Sequence, residues 1–121
     1  MLGYKVMQSG VQGLAVQALC MDSLTAISAA GTNAATATVL ANAVNFVGTT
    51  GSGTGVILPA NSGPGDGVFI FNGGANPLKV YPTTGAKING LGTNAAATIG
   101  TNTACEFWMG SLTQWGAILS A

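Results

Sequence analysis

Clusters of turn-forming residues divide this sequence into apolar segments that are too short to form helices. Two such clusters are TGSGTG at residues 50–55 and ANSGPGDG at residues 60–67. Beside them lie the short apolar segments VILP, VFIFN and LKVYP. Segments of this kind, recurring about every eight to twelve residues, are typical of β-sandwiches and small barrels. We therefore expect an all-β fold, a single antiparallel β-sandwich or small barrel of about eight short strands.

The chain has room for one domain, preceded by a segment of different character. Its 121 residues can bury a single modest core. In residues 1–22 the apolar positions fit one face of a helix, and they fit an extended arm that orders against a partner equally well. Gln8, Gln12 and Gln17 interrupt the apolar stretch that a targeting signal needs. We predict an N-terminal arm over residues 1–22, a β-domain over residues 23–121 and no targeting signal.

Charged side chains are almost absent. The chain carries three basic residues, three acidic residues and no histidine, whereas about a quarter of the residues of an ordinary soluble domain are charged. Binding to nucleic acid requires several cations that displace counterions from phosphates. A membrane-spanning helix requires about 18 consecutive apolar residues, and the sequence contains no such run. We expect no nucleic-acid partner and no membrane partner.

A surface with so little charge lacks the repulsion that normally keeps small domains apart in solution. Either threonine, asparagine, serine and glycine hydrate it sufficiently, or much of it is buried in a permanent assembly. The edges of the predicted sheets also need partners, because few charges are available to block them. We favour a permanent assembly of several copies of the chain.

No residue pattern typical of catalysis or metal binding occurs in the sequence. Histidine is absent, and the carboxylates Asp22, Asp66 and Glu106 are far apart in the sequence. The usual patterns of zinc sites, catalytic triads and carboxylate pairs are therefore missing. The GSGTG segment lacks the lysine and hydroxyl residue that end a phosphate-binding loop. We expect no enzymatic activity, no metal and no cofactor.

Cys20 and Cys105 are the two cysteines of the chain. They could form one disulfide if their strands adjoin. Cysteine is also a common small buried residue, and a chain without a secretion signal favours free thiols. We therefore favour two free thiols.

Large aromatic side chains flank the last predicted turn and follow one internal strand. The segments CEFWMGS and QWGAILS, joined by a turn at residues 111–113, are predicted to form a hairpin. Strand alternation places Trp108 on the side opposite to Phe107 and Met109. The aromatic residues that we predict at a subunit interface are Trp108, Trp115 and Tyr81. A second core layer and a sugar-stacking platform are the alternatives for these side chains.

The pentapeptide GTNAA begins two segments, residues 31–46 and residues 92–107, which align without a gap. Because alanine, glycine, threonine and asparagine are so common in this chain, chance is one explanation. The other is that each copy is a turn leading into a strand that ends in an aromatic core residue, at two related corners of one sandwich. On that interpretation Asn33 and Asn94 are predicted to lie at a subunit interface.

Three longer segments resemble small virion proteins of tailed bacteriophages, of the head decoration (cement) or head-fibre type. They are GTGVILPA, then GDGVFIFNGGANPLKVYPTTGAKINGLGTNAA, then FWMGSLTQW. The resemblance covers about residues 30–119, and its most specific part is NGGANPLKVYPTTGAKING at residues 72–90. Residues 1–29 resemble nothing that we can place.

The resemblance implies a non-enzymatic protein that is present on the virion in many copies. Proteins of this kind act through extended surfaces, so no single functional residue carries over from them. We expect a homotrimer on the capsid surface that binds the outside of the major capsid protein and stabilises the shell. The N-terminal residues that we predict to dock on the capsid are Tyr4, Lys5, Val6 and Met7.

The alternative is a receptor-binding or glycan-binding module of a head fibre or tail fibre. In that case Trp108, Trp115 and Tyr81 form the surface on which sugars stack.

Overall fold

Ten short β-strands make up the regular structure of residues 23–119, the part of the chain that the structure, a computed structural model, describes. This part contains no helix, so the prediction of an all-β fold is confirmed. The strands are β1 (Ser23–Ser28), β2 (Thr38–Val39), β3 (Val44–Thr49), β4 (Gly55–Ile57), β5 (Gly67–Asn72), β6 (Leu78–Tyr81), β7 (Lys87–Ile88), β8 (Ala97–Ile99), β9 (Thr103–Ser111) and β10 (Gln114–Leu119).

The strands form two sheets, and the chain alternates between them. Sheet A has the order β1-β3-β5-β9-β10-β7, and sheet B has the order β2-β4-β6-β8. From β1 to β6, each strand that returns to a sheet lies parallel to the strand laid down before it. Ser23 pairs with Val44, and Val44 pairs with Phe69, so one coil takes about 21 to 25 residues. This winding is that of a β-solenoid with three coils.

The prediction of an antiparallel sandwich or barrel is wrong. Five of the eight strand pairings within residues 23–119 are parallel. The turn clusters do separate strands, but they carry the chain across to the other sheet instead of reversing it within one sheet. TGSGTG joins β3 of sheet A to β4 of sheet B, and ANSGPGDG brings the chain back to β5 of sheet A.

The chain reverses after the third coil and adds an antiparallel layer. β8 lies antiparallel to β6 in sheet B, and β9 lies antiparallel to β5 in sheet A. β9 and β10 form the predicted hairpin around residues 112–113. β7 then pairs with β10 at the edge of sheet A. The layer covers the strands of the third coil, which leaves that coil with a partner on both sides.

One apolar core lies between the two sheets. Alternate residues of each strand point into it, as the two-residue period of a strand requires. Sheet A contributes Val47, Ile70 and Phe107, and sheet B contributes Val56 and Val80; all five side chains are fully buried.

Asn72, at the end of β5, is a fully buried polar residue that connects several segments. Its Oδ1 atom accepts hydrogen bonds from the Thr50 hydroxyl at 2.8 Å and the Gly74 amide at 3.1 Å. Its Nδ2 atom donates to the carbonyl oxygens of Asn76 at 2.9 Å and Ile99 at 3.2 Å. These partners belong to the second coil, the third coil and the antiparallel layer, so one amide fixes the register of all three.

We expect the substitution Asn72→Asp to lower the free energy of unfolding by about 3 kcal/mol, because it places a carboxylate oxygen against buried carbonyl oxygens where an amide had donated. Asn61→Asp is the matched control, since Asn61 is exposed in the loop after β4 and the same charge there stays hydrated. Denaturant unfolding of both variants measures the difference. Equal stabilities would show that the Asn72 hydrogen bonds do not hold the coils in register.

Candidate binding surface

The outer side of sheet A carries a continuous apolar surface. In β3, β5, β9 and β10 the residues that alternate with the buried ones point away from the core. Three of these outward residues are large and well exposed: Phe46 at 42%, Trp108 at 49% and Ile118 at 65%. The surface, called here the aromatic face, consists of Phe46, Phe69, Phe71, Glu106, Trp108 and Ile118.

The three phenylalanines of the aromatic face stack as a consequence of the parallel winding. Phe46 on β3 pairs with Phe71 on the next coil. The ring centroids of Phe46 and Phe71 are 5.6 Å apart, and those of Phe46 and Phe69 are 6.0 Å apart. Both contacts are tilted, a geometry that aromatic pairs favour. The rings therefore support one another on the outer side of the sheet.

Trp108 is held against the backbone of its neighbouring strand. It pairs with Gly67 across β5 and β9. A Cβ atom at Gly67 would lie 2.5 Å from the indole ring, so the ring occupies the space that any other residue at this position would fill. The glycine thus lets the indole lie on the sheet while half of its surface remains exposed.

A shallow cavity of about 230 Å³ lies beside these rings and is lined by Phe69, Ala104, Cys105, Glu106 and Ile118. Among these lining residues, Glu106 is exposed and carries a carboxylate. Cys105 is a buried, free thiol. Its burial, with a smaller contribution from the Glu106 carboxylate, raises the pKa of the Cys105 thiol from 9.0 to about 12. The thiol is therefore neutral at physiological pH and is not a nucleophile there.

The carboxylate and thiol groups of residues 23–119 do not gather into a metal site. Within this part of the chain no group of three or more histidine, cysteine, aspartate or glutamate residues could hold a metal ion. Asp66 has a structural role, because its Oδ2 atom accepts a hydrogen bond from the Gly63 amide at 2.8 Å. This local hydrogen bond from side chain to backbone holds the turn at residues 63–66 together with the backbone bond from the Asp66 amide to the Gly63 carbonyl.

Trp115 and Tyr81 do not belong to the exposed surface, so their prediction as interface or sugar-stacking residues is wrong. Trp115 points into the core, is fully buried, and donates from Nε1 to the Thr83 hydroxyl at 3.0 Å. Tyr81 is 8% exposed, and its hydroxyl donates to the Thr32 carbonyl at 3.2 Å. Trp108 is exposed and lies on the opposite side of its strand from the buried Phe107, as predicted.

Asn33 and Asn94 are both exposed, and each closes a turn in its own way. The Oδ1 atom of Asn33 accepts from the Thr36 amide at 3.1 Å. Asn94 has a positive φ of 61°, and its Oδ1 atom accepts from the Gly85 amide at 2.6 Å. The two copies of GTNAA do lead into short strands, β2 and β8, which form opposite edges of sheet B.

The longer alignment of the two copies has no structural counterpart. Its last pair, Phe46 and Phe107, was predicted to anchor the core in both copies. Phe107 is fully buried, but Phe46 lies on the outer side of sheet A. The sandwich corners that the alignment implied are also absent, since β2 is parallel to its neighbour and β8 is antiparallel.

A second groove, of about 270 Å³, lies at the other end of the hairpin. Val39 and Leu112 are exposed along it, at 69% and 67%. Ser62, Thr83 and Thr84 line the same groove. It contains no charged residue.

The predicted docking residues Tyr4, Lys5, Val6 and Met7 lie outside the described residues 23–119, as does Cys20. Their roles, and the pairing of Cys20, stay predictions.

No family model, no curated protein and no solved structure matches this chain. Within residues 23–119 the fold also lacks a helix that is long and apolar enough to cross a membrane.

The sequence interpretation missed most of the aromatic face. The four residues VFIF are all apolar, and a continuous apolar run favours a strand that is covered on both sides. Only Val68 and Ile70 of that strand are buried hydrophobic residues. The alternation of aromatic with aliphatic residues was the one available signal that the two sides of this strand differ.

We expect Cys105 to make stability depend on pH above about 9. The thiol of the unfolded chain ionises near 9.0, but in the folded protein it ionises only near 12, so unfolding releases a proton between these values. The stability that the buried neutral thiol contributes is therefore fully present below pH 9 and is lost as pH rises towards 12.

The measurement is the free energy of unfolding from pH 8 to pH 11 for the unchanged protein and for Cys105→Ala. The unchanged protein should lose stability more steeply than the variant, which lacks the buried thiol. Parallel pH profiles would contradict the burial of this thiol.

Proposed function

We propose that this chain is a non-enzymatic structural protein of a bacteriophage virion, a decoration (cement) protein that binds the outside of the major capsid shell as a homotrimer. The observation that carries the proposal is the aromatic face, a broad apolar surface with one carboxylate on the outer side of sheet A. Exposed aromatic and aliphatic groups in one continuous patch are characteristic of protein-binding surfaces.

The small number of charges supports the same function. A neutral surface loses little hydration energy when it is covered by other proteins, provided that its polar groups keep hydrogen-bond partners. Asn33 and Asn94 satisfy their side-chain oxygens within their own turns. These two oxygens therefore stay paired when a neighbouring protein covers the loops.

The resemblance to phage decoration and head-fibre proteins supports the proposal that this chain is a virion protein. It covers about residues 30–119, which includes all the strands from β2 to β10. Many weak contacts repeated over a shell give strong overall retention, because each attached subunit raises the effective concentration of the next contact.

The glycan-binding alternative loses its expected site. It required Trp108, Trp115 and Tyr81 to share one exposed surface, and two of these three side chains are buried. The subunit interface predicted on the same three residues also loses Trp115 and Tyr81 and keeps Trp108.

The proposal is tested with capsids that lack this protein. The purified full chain should bind them at micromolar concentration, saturate at on the order of hundreds of copies per capsid, and raise the temperature at which the capsids disrupt. Copy number is measured by quantitative mass spectrometry of sedimented particles. Failure to bind, or saturation at a few dozen copies, contradicts a decoration role; the low copy number fits a fibre.

The double variant Tyr4→Ser, Met7→Ser tests the docking segment separately. It should reduce capsid binding by at least about tenfold, since it removes two apolar contacts. Gln12→Ser, in the same N-terminal segment, is the control and should bind like the unchanged protein. Normal binding by the double variant would move the docking site elsewhere while leaving the decoration role in place.

A further inference from the structure

We propose that the aromatic face is the surface through which copies of this chain bind one another, with Lys87 of one copy opposite Glu106 of the next. This inference rests on the proposed function for its biological setting. A face-to-face contact has two-fold symmetry and joins two copies, so it adds to the contacts that would hold the proposed trimer. Its physical basis is the arrangement of charges and exposed rings on sheet A.

Two side chains of opposite charge stand on the outer side of sheet A. Glu106 on β9 lies between the buried residues Cys105 and Phe107, so it points outwards. Lys87 on β7 is exposed and precedes the buried Ile88, so it points outwards as well. The outer side of sheet A therefore combines the aromatic face, which carries Glu106, with the positive charge of Lys87.

These two charges are too far apart to pair within one chain. Lys87 lies beside Gln114, and Glu106 lies beside Ile118. Four residues along β10 correspond to about 13 Å, and the two strand spacings from β9 to β7 add about 10 Å in the perpendicular direction. Each charge is therefore available to a charge on another molecule.

This layout is complementary to itself. A second copy placed face to face can bring its Lys87 to Glu106 and leave the apolar groups in contact. Trp108 lies beside Gly116, at the level midway between the two charges along β10. The exposed indole is then at the centre of the contact, where residues that dominate binding usually lie.

Other occupants fit the face less well. A nucleic acid or an anionic lipid surface requires an excess of positive charge, whereas Lys87 and Glu106 give the outer side of sheet A one charge of each sign. A strongly charged protein would leave its own charges desolvated against phenylalanine and tryptophan. A second copy brings equal and opposite charges together with the same apolar surface.

The test is a charge exchange in the purified full-length chain. Sedimentation velocity over a dilution series gives the oligomer dissociation constant. Lys87→Glu and Glu106→Lys should each weaken association by about tenfold or more, because each places like charges opposite one another. The double variant Lys87→Glu, Glu106→Lys restores opposite charges and should associate within about threefold of the unchanged protein.

Two further variants complete the test. Trp108→Ala should weaken association by about a hundredfold, since it removes the central aromatic contact. Lys79→Glu is the control, because it makes the same charge change on β6 of sheet B, and it should leave the dissociation constant unchanged. Thermal unfolding of each variant shows whether the fold is retained.

Three results would overturn the inference. One is an unchanged protein that stays monomeric up to about 100 μM, as it would if residues of its own chain cover the face. The second is association that neither single charge variant affects. The third is a double variant as weak as the single variants. The assay uses no capsids, so failure of this contact is distinct from failure of the capsid-binding proposal, which is measured on particles.

Discussion

The hydrogen bonds of Asn72 hold together the three parts of the chain on which the rest of the fold depends. Its buried amide bonds to Thr50 from the second coil, to Asn76 from the third coil and to Ile99 from the antiparallel layer. A buried polar group without a partner costs about 1–3 kcal/mol, so this amide is satisfied only when the coils stack in one register and the chain then reverses. Winding and reversal are therefore coupled at a single residue.

The reversal determines what the outer side of sheet A presents. The parallel coils contribute the phenylalanines of β3 and β5 to this side of the sheet. Because the chain turns back, β9, β10 and β7 join the same sheet and bring Trp108, Ile118, Glu106 and Lys87 alongside. An apolar surface with two opposite charges thus arises where parallel and antiparallel parts of the fold meet. The proposed assembly function depends on that junction rather than on any single strand.

The sequence allowed the strand content to be predicted, but not the direction of the strands. Turn clusters mark where strands end, and the same residue types serve a reversal within a sheet and a crossing between sheets. Alternation was sufficient to place Trp108 correctly. The side taken by Trp115 was not predictable, because it depends on an irregular register between Gln114 and Trp115. Phe46 was predicted in the core, since its outward position follows only from the stacking of the coils.

The most direct measurement is hydroxyl-radical footprinting of the full chain, dilute and assembled, with mass spectrometry of the oxidised peptides. Trp108 and Phe46 should be oxidised readily in the dilute protein and be protected at least about fivefold on assembly. Trp115, which is fully buried, should be oxidised slowly in both states and serves as the internal reference. Equal oxidation of Trp108 in the dilute and assembled protein would contradict the central claim that the aromatic face is the surface used for assembly.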